Sequence, residues 1–212
     1  MKLNDAKQAI KDGEFDQAVA LLSAMVKEES GNYELFALRA MAYRKLHKFQ
    51  LSIDDFDAAL KIEPNNADLR SEKGVSLFHY KALDLALIEM NAAVELDPEN
   101  PYRYSSRAYI KDALKDIDGA IADYQKTVEI DPDDAIALNN LGMLEEKKGN
   151  MSKAKKLFDH SDKLQDVDMG KITEEAVKNG GSSLSKNEAK KEVAVAQKHQ
   201  ESKPAETVET VE

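Results

Sequence analysis

The chain has 212 residues, of which 42% are apolar and 33% are charged, and its formal net charge is −10 at pH 7. Because it contains no cysteine, disulfide bonds, thiolate nucleophiles and cysteine-ligated zinc are excluded. The excess of acidic residues argues against a nucleic acid partner, since a phosphate backbone is bound by clustered Lys and Arg.

The N-terminal stretch, MKLNDAKQAIKDGEF, carries charges throughout and has no apolar segment typical of a secretory signal. No run of about 18 apolar residues follows it, so the sequence predicts no membrane span. We therefore expect a cytoplasmic protein that has no membrane partner.

A turn made of an acidic residue, a proline and two polar residues recurs at a fixed interval. It reads EPNN, DPEN and DPDD, and it places Pro64, Pro98 and Pro132 34 residues apart. Such a period is typical of repeat architectures, whose units bury their apolar faces by stacking on one another. Aligned on the prolines, the chain divides into five units, at approximately 1–32, 33–66, 67–100, 101–134 and 135–166.

Each unit has two apolar stripes at helical spacing on either side of a short polar turn, which predicts a helix–turn–helix. Proline ends a unit because it cannot continue a helix, and the Asn or Asp that follows caps the next helix. One column of small side chains, which allows two helices to approach closely, accompanies one column of bulky apolar side chains. The small column holds Ala6, Ala40, Gly74, Ala108 and Gly142, and the bulky column holds Leu22, Phe56, Met90, Tyr124 and Phe158.

The second unit, from Tyr33 to Asn66, matches a known repeat signature. Its residues at or near the signature positions are Phe36, Ala40, Tyr43, Ser52, Phe56, Ala59 and Pro64. On these residues the chain resembles the tetratricopeptide repeat (TPR) family, over residues 1–166. The resemblance implies an all-α fold, a right-handed superhelical solenoid of antiparallel helix–turn–helix repeats. The departures from the family pattern are Arg70, Lys111, Glu145 and Asp166, the last of which replaces the closing proline.

A row of basic residues in the first helices is matched by a row of acidic residues in the second helices. The basic residues are Arg39, Lys73 and Arg107, and the acidic residues, each sixteen positions later, are Asp55, Glu89 and Asp123. In the fifth unit both positions become apolar, as Leu141 and Leu157. Because base and acid disappear together, we predict that the two rows pair inside each hairpin. The alternative is that the basic row binds an acidic ligand.

The resemblance also implies that the first helix of each hairpin lines a concave groove that binds a partner. The groove residues implied in this way are Lys7, Lys11, Met41, Arg44, Lys45, Phe78, His79, Tyr102, Ser105, Tyr109, Asp112, Asn139 and Met143. Basic residues lie toward one end of this set and acidic residues toward the other, so we expect a peptide with an apolar anchor and opposite charges at its ends. The alternative is that Phe78 and Tyr102 fill the packing between repeats.

Two other kinds of site are considered as alternatives to this groove, a carboxylate clamp and a catalytic or metal centre. The carboxylate clamp of TPR co-chaperones needs a basic set at fixed positions in three consecutive units, and no frame of this sequence supplies it, so chaperone C-terminal tails are not expected as partners. The four histidines show no metal-ligand spacing, and His47 is expected to be a solvated turn residue. No glycine-rich phosphate loop follows a strand. We therefore expect no enzymatic activity, no metal and no cofactor.

Residues 167–212 contain no aromatic side chain and are rich in charge, which is typical of a polar, largely disordered tail. Within it, KITEEAVKN at 171–179 predicts a helix that caps the last hairpin through Ile172, Ala176 and Val177.

Two functions are consistent with these patterns. The first is a non-catalytic scaffold or adaptor for protein–protein interaction, which binds a peptide or protein partner in the groove. The alternative is a self-associating structural protein, in which the terminal repeats or the tail form a homo-oligomer. The expected state in solution is accordingly a monomer or a weak homo-oligomer.

Overall fold

The computed structural model describes the backbone of residues 2–178 and the side chains of residues 3–165. Within that range the chain forms ten helices and no strand, so the predicted all-α class is confirmed. The helices are α1 (Lys2–Lys11), α2 (Phe15–Glu28), α3 (Tyr33–Lys45), α4 (Phe49–Ile62), α5 (Ala67–His79), α6 (Leu83–Leu96), α7 (Pro101–Ala113), α8 (Ile117–Ile130), α9 (Ala135–Lys147) and α10 (Met151–Lys178). One compact unit extends from Met1 to Asp162, and a second begins at Lys163, within α10.

The first helices of the third to fifth units begin after the Asn or Asp that the sequence predicts as a cap, and that of the second unit begins after Asn32, which no proline precedes. The side chain of Asn32 accepts a hydrogen bond from the backbone N–H of Glu34, and the remaining capping residues are Asn66, Asn100 and Asp134. Each cap satisfies a backbone N–H that has no partner in the first turn of a helix. Consecutive helices pack as antiparallel hairpins, and each hairpin packs on the next one along the chain.

The end of the fifth unit differs from the expectation. A separate capping helix was expected at 171–179, after a boundary at 166, but α10 continues without interruption from Met151 to Lys178. The physical reason is that Asp166 stands where the earlier units have a proline, so nothing there removes a backbone N–H or ends the helix. The expected contacts of Ile172, Ala176 and Val177 and the expected disorder of 179–212 lie outside the described side chains and backbone.

The small column is where the two helices of a hairpin approach most closely. Ala6, Ala40 and Ala108 are fully buried. A Cβ atom added at Gly74 would lie 3.2 Å from the terminal methyl of Met90, and one added at Gly142 would lie 2.5 Å from the ring of Phe158. The predicted close approach of the two helices at the small column is therefore confirmed.

The predicted ion pairs inside the hairpins are confirmed. Arg39 donates two hydrogen bonds of 2.7 Å to Asp55. The equivalent pairs are Lys73–Glu89 at 2.7 Å and Arg107–Asp123 at 2.7 Å. In the fifth unit Leu157 packs against the apolar cluster that contains Leu141, so an apolar contact replaces the charged one. The basic row is therefore a structural feature of the hairpins, and the alternative of a ligand site is not needed to explain it.

Three of the departures from the family pattern are also accommodated by polar contacts. Each of these side chains meets an opposite charge or an amide on the second helix of its own hairpin or on the turn before it. The contacts are Arg70–Glu89 at 2.9 Å, Lys111–Asp123 at 2.8 Å, and Asn150–Glu145 at 2.7 Å, with Lys153 as a second partner of Glu145.

The turn between the two helices of every hairpin contains one residue with a left-handed backbone. These residues are Gly13 (φ 79°), His47 (φ 58°), Lys81 (φ 70°), Lys115 (φ 67°) and Gly149 (φ 85°), again 34 positions apart. Glycine takes this conformation without steric cost, whereas a side chain with a Cβ atom is strained there. The first and last units therefore have relaxed turns and the three central units have strained ones.

Replacing Lys115 by glycine is expected to raise the free energy of unfolding by about 1 kcal/mol, because the strain at its Cβ is removed. The reverse change, Gly149→Ala, is expected to lower it by a similar amount, since no neighbouring atom lies within 4 Å of the added Cβ and the effect comes from the backbone alone. Urea unfolding of the three chains measures both. Lys155→Gly, in the helical part of α10, is the control and should destabilise. Equal midpoints for the original chain and Lys115→Gly would contradict this account.

Candidate functional site

Helices α5, α7 and α9 form a pocket of about 260 Å³ on the face made by the first helices of the hairpins. We call it the apolar pocket. It is lined by Val75, Phe78, His79, Ser105, Ser106, Tyr109, Ile110, Tyr124, Ile136 and Asn140. Four predicted groove residues, Phe78, His79, Ser105 and Tyr109, therefore come together around one cavity that spans three consecutive hairpins.

The walls of the apolar pocket are rings and aliphatic side chains held by the core. The rings of Phe78 and Tyr109 lie with their centroids 5.1 Å apart, and Phe78 also packs against the buried cluster that includes Leu77 and Ile110. Tyr109 is 58% exposed and Ile136 is 73% exposed at the pocket mouth. A rigid, partly exposed aromatic wall of this kind suits the binding of an apolar side chain.

One side of the apolar pocket carries a buried polar contact. Asn140 donates a hydrogen bond of 3.2 Å to the hydroxyl of Tyr124, which is buried in the hairpin core. Burial raises the pKa of Tyr124 to about 12, so its hydroxyl is neutral and can accept or donate a hydrogen bond. The pocket therefore combines an apolar surface with a fixed amide and hydroxyl.

A smaller pocket of about 200 Å³ adjoins the apolar pocket and shares Tyr109, Tyr124 and Asn140 with it. It also contains the predicted groove residues Asp112 and Met143. Its charged groups are paired, because the ammonium of Lys147 lies 3.3 Å from the carboxylate of Asp112. Together the two pockets form one accessible surface that follows α7 and α9.

A third pocket, of about 240 Å³, lies at the ends of α3 and α5, and we call it the basic pocket. It is lined by Arg44, Lys45, His47, Phe49 and His79, three of which were predicted groove residues. The rings of Phe49 and His79 stack with centroids 5.5 Å apart and an interplanar angle of 12°. Arg44 is held by Glu72, with 2.5 Å between the charged atoms.

The remaining predicted groove residues lie outside these three pockets. Met41 packs against the buried cluster that contains Phe56, and Lys7 pairs with Glu34 at 2.6 Å. Lys11 and Asn139 are exposed, and Tyr102 is 50% exposed, so Tyr102 does not fill the packing between repeats. Phe78 both packs between repeats and forms a wall of the apolar pocket.

Three features of the site were not predicted from the sequence. Tyr124 belongs to the bulky column of the second helices, and nothing in its spacing indicates that its hydroxyl reaches the pocket. Asn140 and Ser106 were not among the predicted groove residues, although their spacing of 34 indicates that both lie on the same face. The stacking of His79 on Phe49 joins two hairpins, and the spacing of histidines along the chain does not reveal it.

Comparison with known families decides the classification. Profiles described as tetratricopeptide repeat match residues 37–101 and 135–168, and one described as TPR repeat matches residues 113–149. The chain belongs to the tetratricopeptide repeat family. TPR chains are scaffolds for protein interaction, and the fold in general carries no catalytic centre. No curated protein matches the sequence significantly.

Solved structures show the same fold. A structure described as "MamA 41-end from Desulfovibrio magneticus RS-1" matches with a TM-score of 0.72 and 23% identity, over 78% of this chain and 94% of that one. YrrB, described as a TPR protein with an unusual peptide-binding site, matches with a TM-score of 0.63 and 23% identity, over 77% and 84% of the two chains. PilF from Pseudomonas aeruginosa matches with a TM-score of 0.71 and 16% identity, over 77% and 74%. The predicted solenoid of TPR hairpins is thus confirmed.

The described residues were also compared with the requirements of a metal site and of a membrane-spanning helix, and they meet neither. No cluster of three or more His, Asp or Glu side chains among them is arranged to hold a metal ion. None of their helices combines the length and the apolar character that crossing a membrane requires.

Proposed function

We propose that this TPR chain is a non-catalytic adaptor that binds a peptide or protein partner through the apolar pocket. The observation that carries the proposal is the arrangement at its mouth, where Tyr109 and Ile136 expose large apolar surfaces around a preformed cavity. Exposed aromatic and aliphatic side chains around a pocket are typical of the anchors that dominate binding energy in protein interfaces. The peptide-binding site described for YrrB supports the same use of the fold.

The chain supplies a matched pair of tyrosines for the test. Tyr109 and Tyr102 both lie on α7 and are similarly exposed, at 58% and 50%, but only Tyr109 is among the residues that line the pockets described above. Tyr109→Ala is expected to weaken binding by at least about tenfold, or roughly 1.4 kcal/mol, because the pocket loses one wall. Tyr102→Ala is the control and should change affinity much less.

Binding is measured by titration calorimetry with peptides selected from a random phage-displayed library on the intact chain. Circular dichroism checks that both variants keep their helices. If Tyr102→Ala weakens binding as much as Tyr109→Ala, or if the library yields no binder, the assignment of the apolar pocket is wrong.

Self-association is the second candidate function, and one observation favours it. Leu51, Leu85 and Ile88 are exposed by 46%, 54% and 61% on the second helices α4 and α6, away from the pockets. Leu85 and Ile88 lie three positions apart and share one face of α6, and an exposed apolar face is typical of protein interfaces. Sedimentation of the intact chain distinguishes the two functions, because a monomer at all concentrations excludes the homo-oligomer. A dimer that dissociates on Leu85→Lys would replace the adaptor by a structural protein.

A further inference from the structure

The basic pocket has an unusual charge for this protein. The chain as a whole carries a net charge of −10, yet every ionisable residue that lines this pocket is a base. Arg44 is engaged by Glu72, since it donates both to the Glu72 carboxylate and to the Glu72 backbone carbonyl. Lys45 forms no ion pair with a described residue, so its charge is available to a ligand at the pocket.

Three rings in contact with one another, those of His47, Phe49 and His79, line the basic pocket. His47 meets Phe49 edge to face with 5.6 Å between centroids, and Phe49 stacks on His79. His79 also meets Phe78 at 5.7 Å. Because His79 lines both the basic pocket and the apolar pocket, the two cavities share a wall and can be filled by neighbouring groups of one ligand.

Basic groups on several elements lie around His79 and disfavour its protonated form. Arg44 and Lys45 approach from α3, His47 from the following turn, and Lys81 from the turn after α5. Burial lowers the pKa of His79 below its ordinary value of 6.5, and these four bases lower it further. The polar residues that α7 contributes nearby, Ser105, Ser106 and Tyr109, bring hydroxyl groups. Glu72 is the facing carboxylate, and Arg44 neutralises it.

We propose that the basic pocket binds the carboxylate side chain of an Asp or Glu in the same peptide whose apolar side chain enters the apolar pocket. The inference rests on the proposed function and specifies its ligand. One available ammonium flanked by two imidazoles matches a singly charged anion. Recognition of a phosphate, with up to two charges, typically uses clustered free arginines, and here the single arginine is already engaged.

Proton uptake accompanies this binding. A carboxylate beside His79 favours the imidazolium form, so the pKa of His79 rises in the complex. The affinity therefore increases as the pH falls through the pKa of His79 in the complex, while the carboxylate of the peptide stays ionised above about pH 5. Replacing His79 by Gln keeps a polar side chain and removes the part of this pH dependence that comes from His79.

The test uses the phage-selected peptides and the intact chain. We expect the selected peptides to carry Asp or Glu close to a bulky apolar residue. Changing that acidic residue to Asn or Gln, or changing Lys45 to Gln, should each weaken binding about fivefold. Lys61→Gln, at an exposed position on α4, is the charge-matched control and should leave affinity unchanged. Affinity should be higher at about pH 6 than at about pH 7.5 for the original chain, and this increase should be smaller for His79→Gln.

The outcomes separate this inference from the proposed function. Selected peptides that bind through apolar residues alone, with no effect of Lys45→Gln, would overturn the acidic ligand and leave the adaptor function standing. Loss of all binding peptides would overturn both. Tighter binding of a phosphoserine peptide than of its Glu counterpart would replace the carboxylate by a phosphate. Tighter peptide binding after Glu206, Glu209 and Glu212 are changed to Gln in the full chain would identify its own C-terminal residues as the occupant, against a separate partner.

Discussion

Asp55→Leu is expected to lower the free energy of unfolding by about 3–4 kcal/mol. Asp55 is 7% exposed and receives two hydrogen bonds from Arg39, so its loss leaves the guanidinium partly buried without its counter-charge. The double variant Asp55→Leu/Arg39→Leu should recover at least half of this loss. Thermal and urea unfolding are measured for the original chain, the two single variants and the double variant, which together form a double-mutant cycle.

The fifth hairpin shows why the double variant should be tolerated. Leu141 and Leu157 occupy the equivalent positions there and pack together in the apolar cluster. The Lys73–Glu89 pair is a poorer place for the experiment, because Lys73 also lies 2.6 Å from Asp57 and Glu89 has a second partner. Equal melting points for Asp55→Leu and the double variant would show that the stranded charge is not the cause.

Arg103→Ala is expected to lower the free energy of unfolding by about 2–3 kcal/mol. Arg103 is 3% exposed on α7 and joins the fourth hairpin to the third. Its guanidinium donates to Asp97 at 2.8 Å, to Asp68 at 2.8 Å and to the hydroxyl of Ser71 at 2.7 Å. The substitution removes these contacts, opens a cavity and leaves the buried hydroxyl of Ser71 without this donor.

The pH dependence of the Arg103 effect gives an independent check. The hydrogen bond from Arg103 holds the pKa of Asp97 below its ordinary value of 3.8. A carboxylate with a lowered pKa stabilises the fold fully above that ordinary value and loses the contribution as the pH falls through the lower, folded-state pKa. The difference between the original chain and Arg103→Ala should therefore shrink below pH 3.8. Arg103→Lys keeps the charge but not the planar fork, and it should restore only part of the stability at neutral pH. A difference that stays constant in acid would mean that packing alone accounts for the effect.

Contacts inside a hairpin could be predicted from the sequence because they depend on local spacing. The pairing of Arg39 with Asp55 and the closeness of Gly142 to Phe158 follow from one helix–turn–helix geometry repeated every 34 residues. Three of the four capping residues, Asn66, Asn100 and Asp134, follow from the position of the proline two residues earlier. These features require no knowledge of how one hairpin is rotated against the next.

Contacts between hairpins were harder to foresee, since they depend on that rotation. The stacking of His79 on Phe49 and the links from Arg103 to the third hairpin both join different hairpins. His47 was expected to be a solvated turn residue; it is exposed, but it also lines the basic pocket. The continuation of α10 differs from the regular period for another reason, because Asp166, unlike a proline, does not end a helix.

At two of the left-handed turns, the residue that would assist binding of a ligand also lowers the stability of the fold. His47 and Lys81 are strained positions whose side chains surround His79, and glycine at either would relax the backbone while removing a base from the neighbourhood of the ligand. Natural selection for thermal robustness alone would favour glycine at both, as already found at Gly13 and Gly149. A base at each of these two turns is what selection for binding would produce, at some expense in folding stability. Lys115 lines none of the pockets described above, so Lys115→Gly can raise the stability of the chain without changing the lining of those pockets.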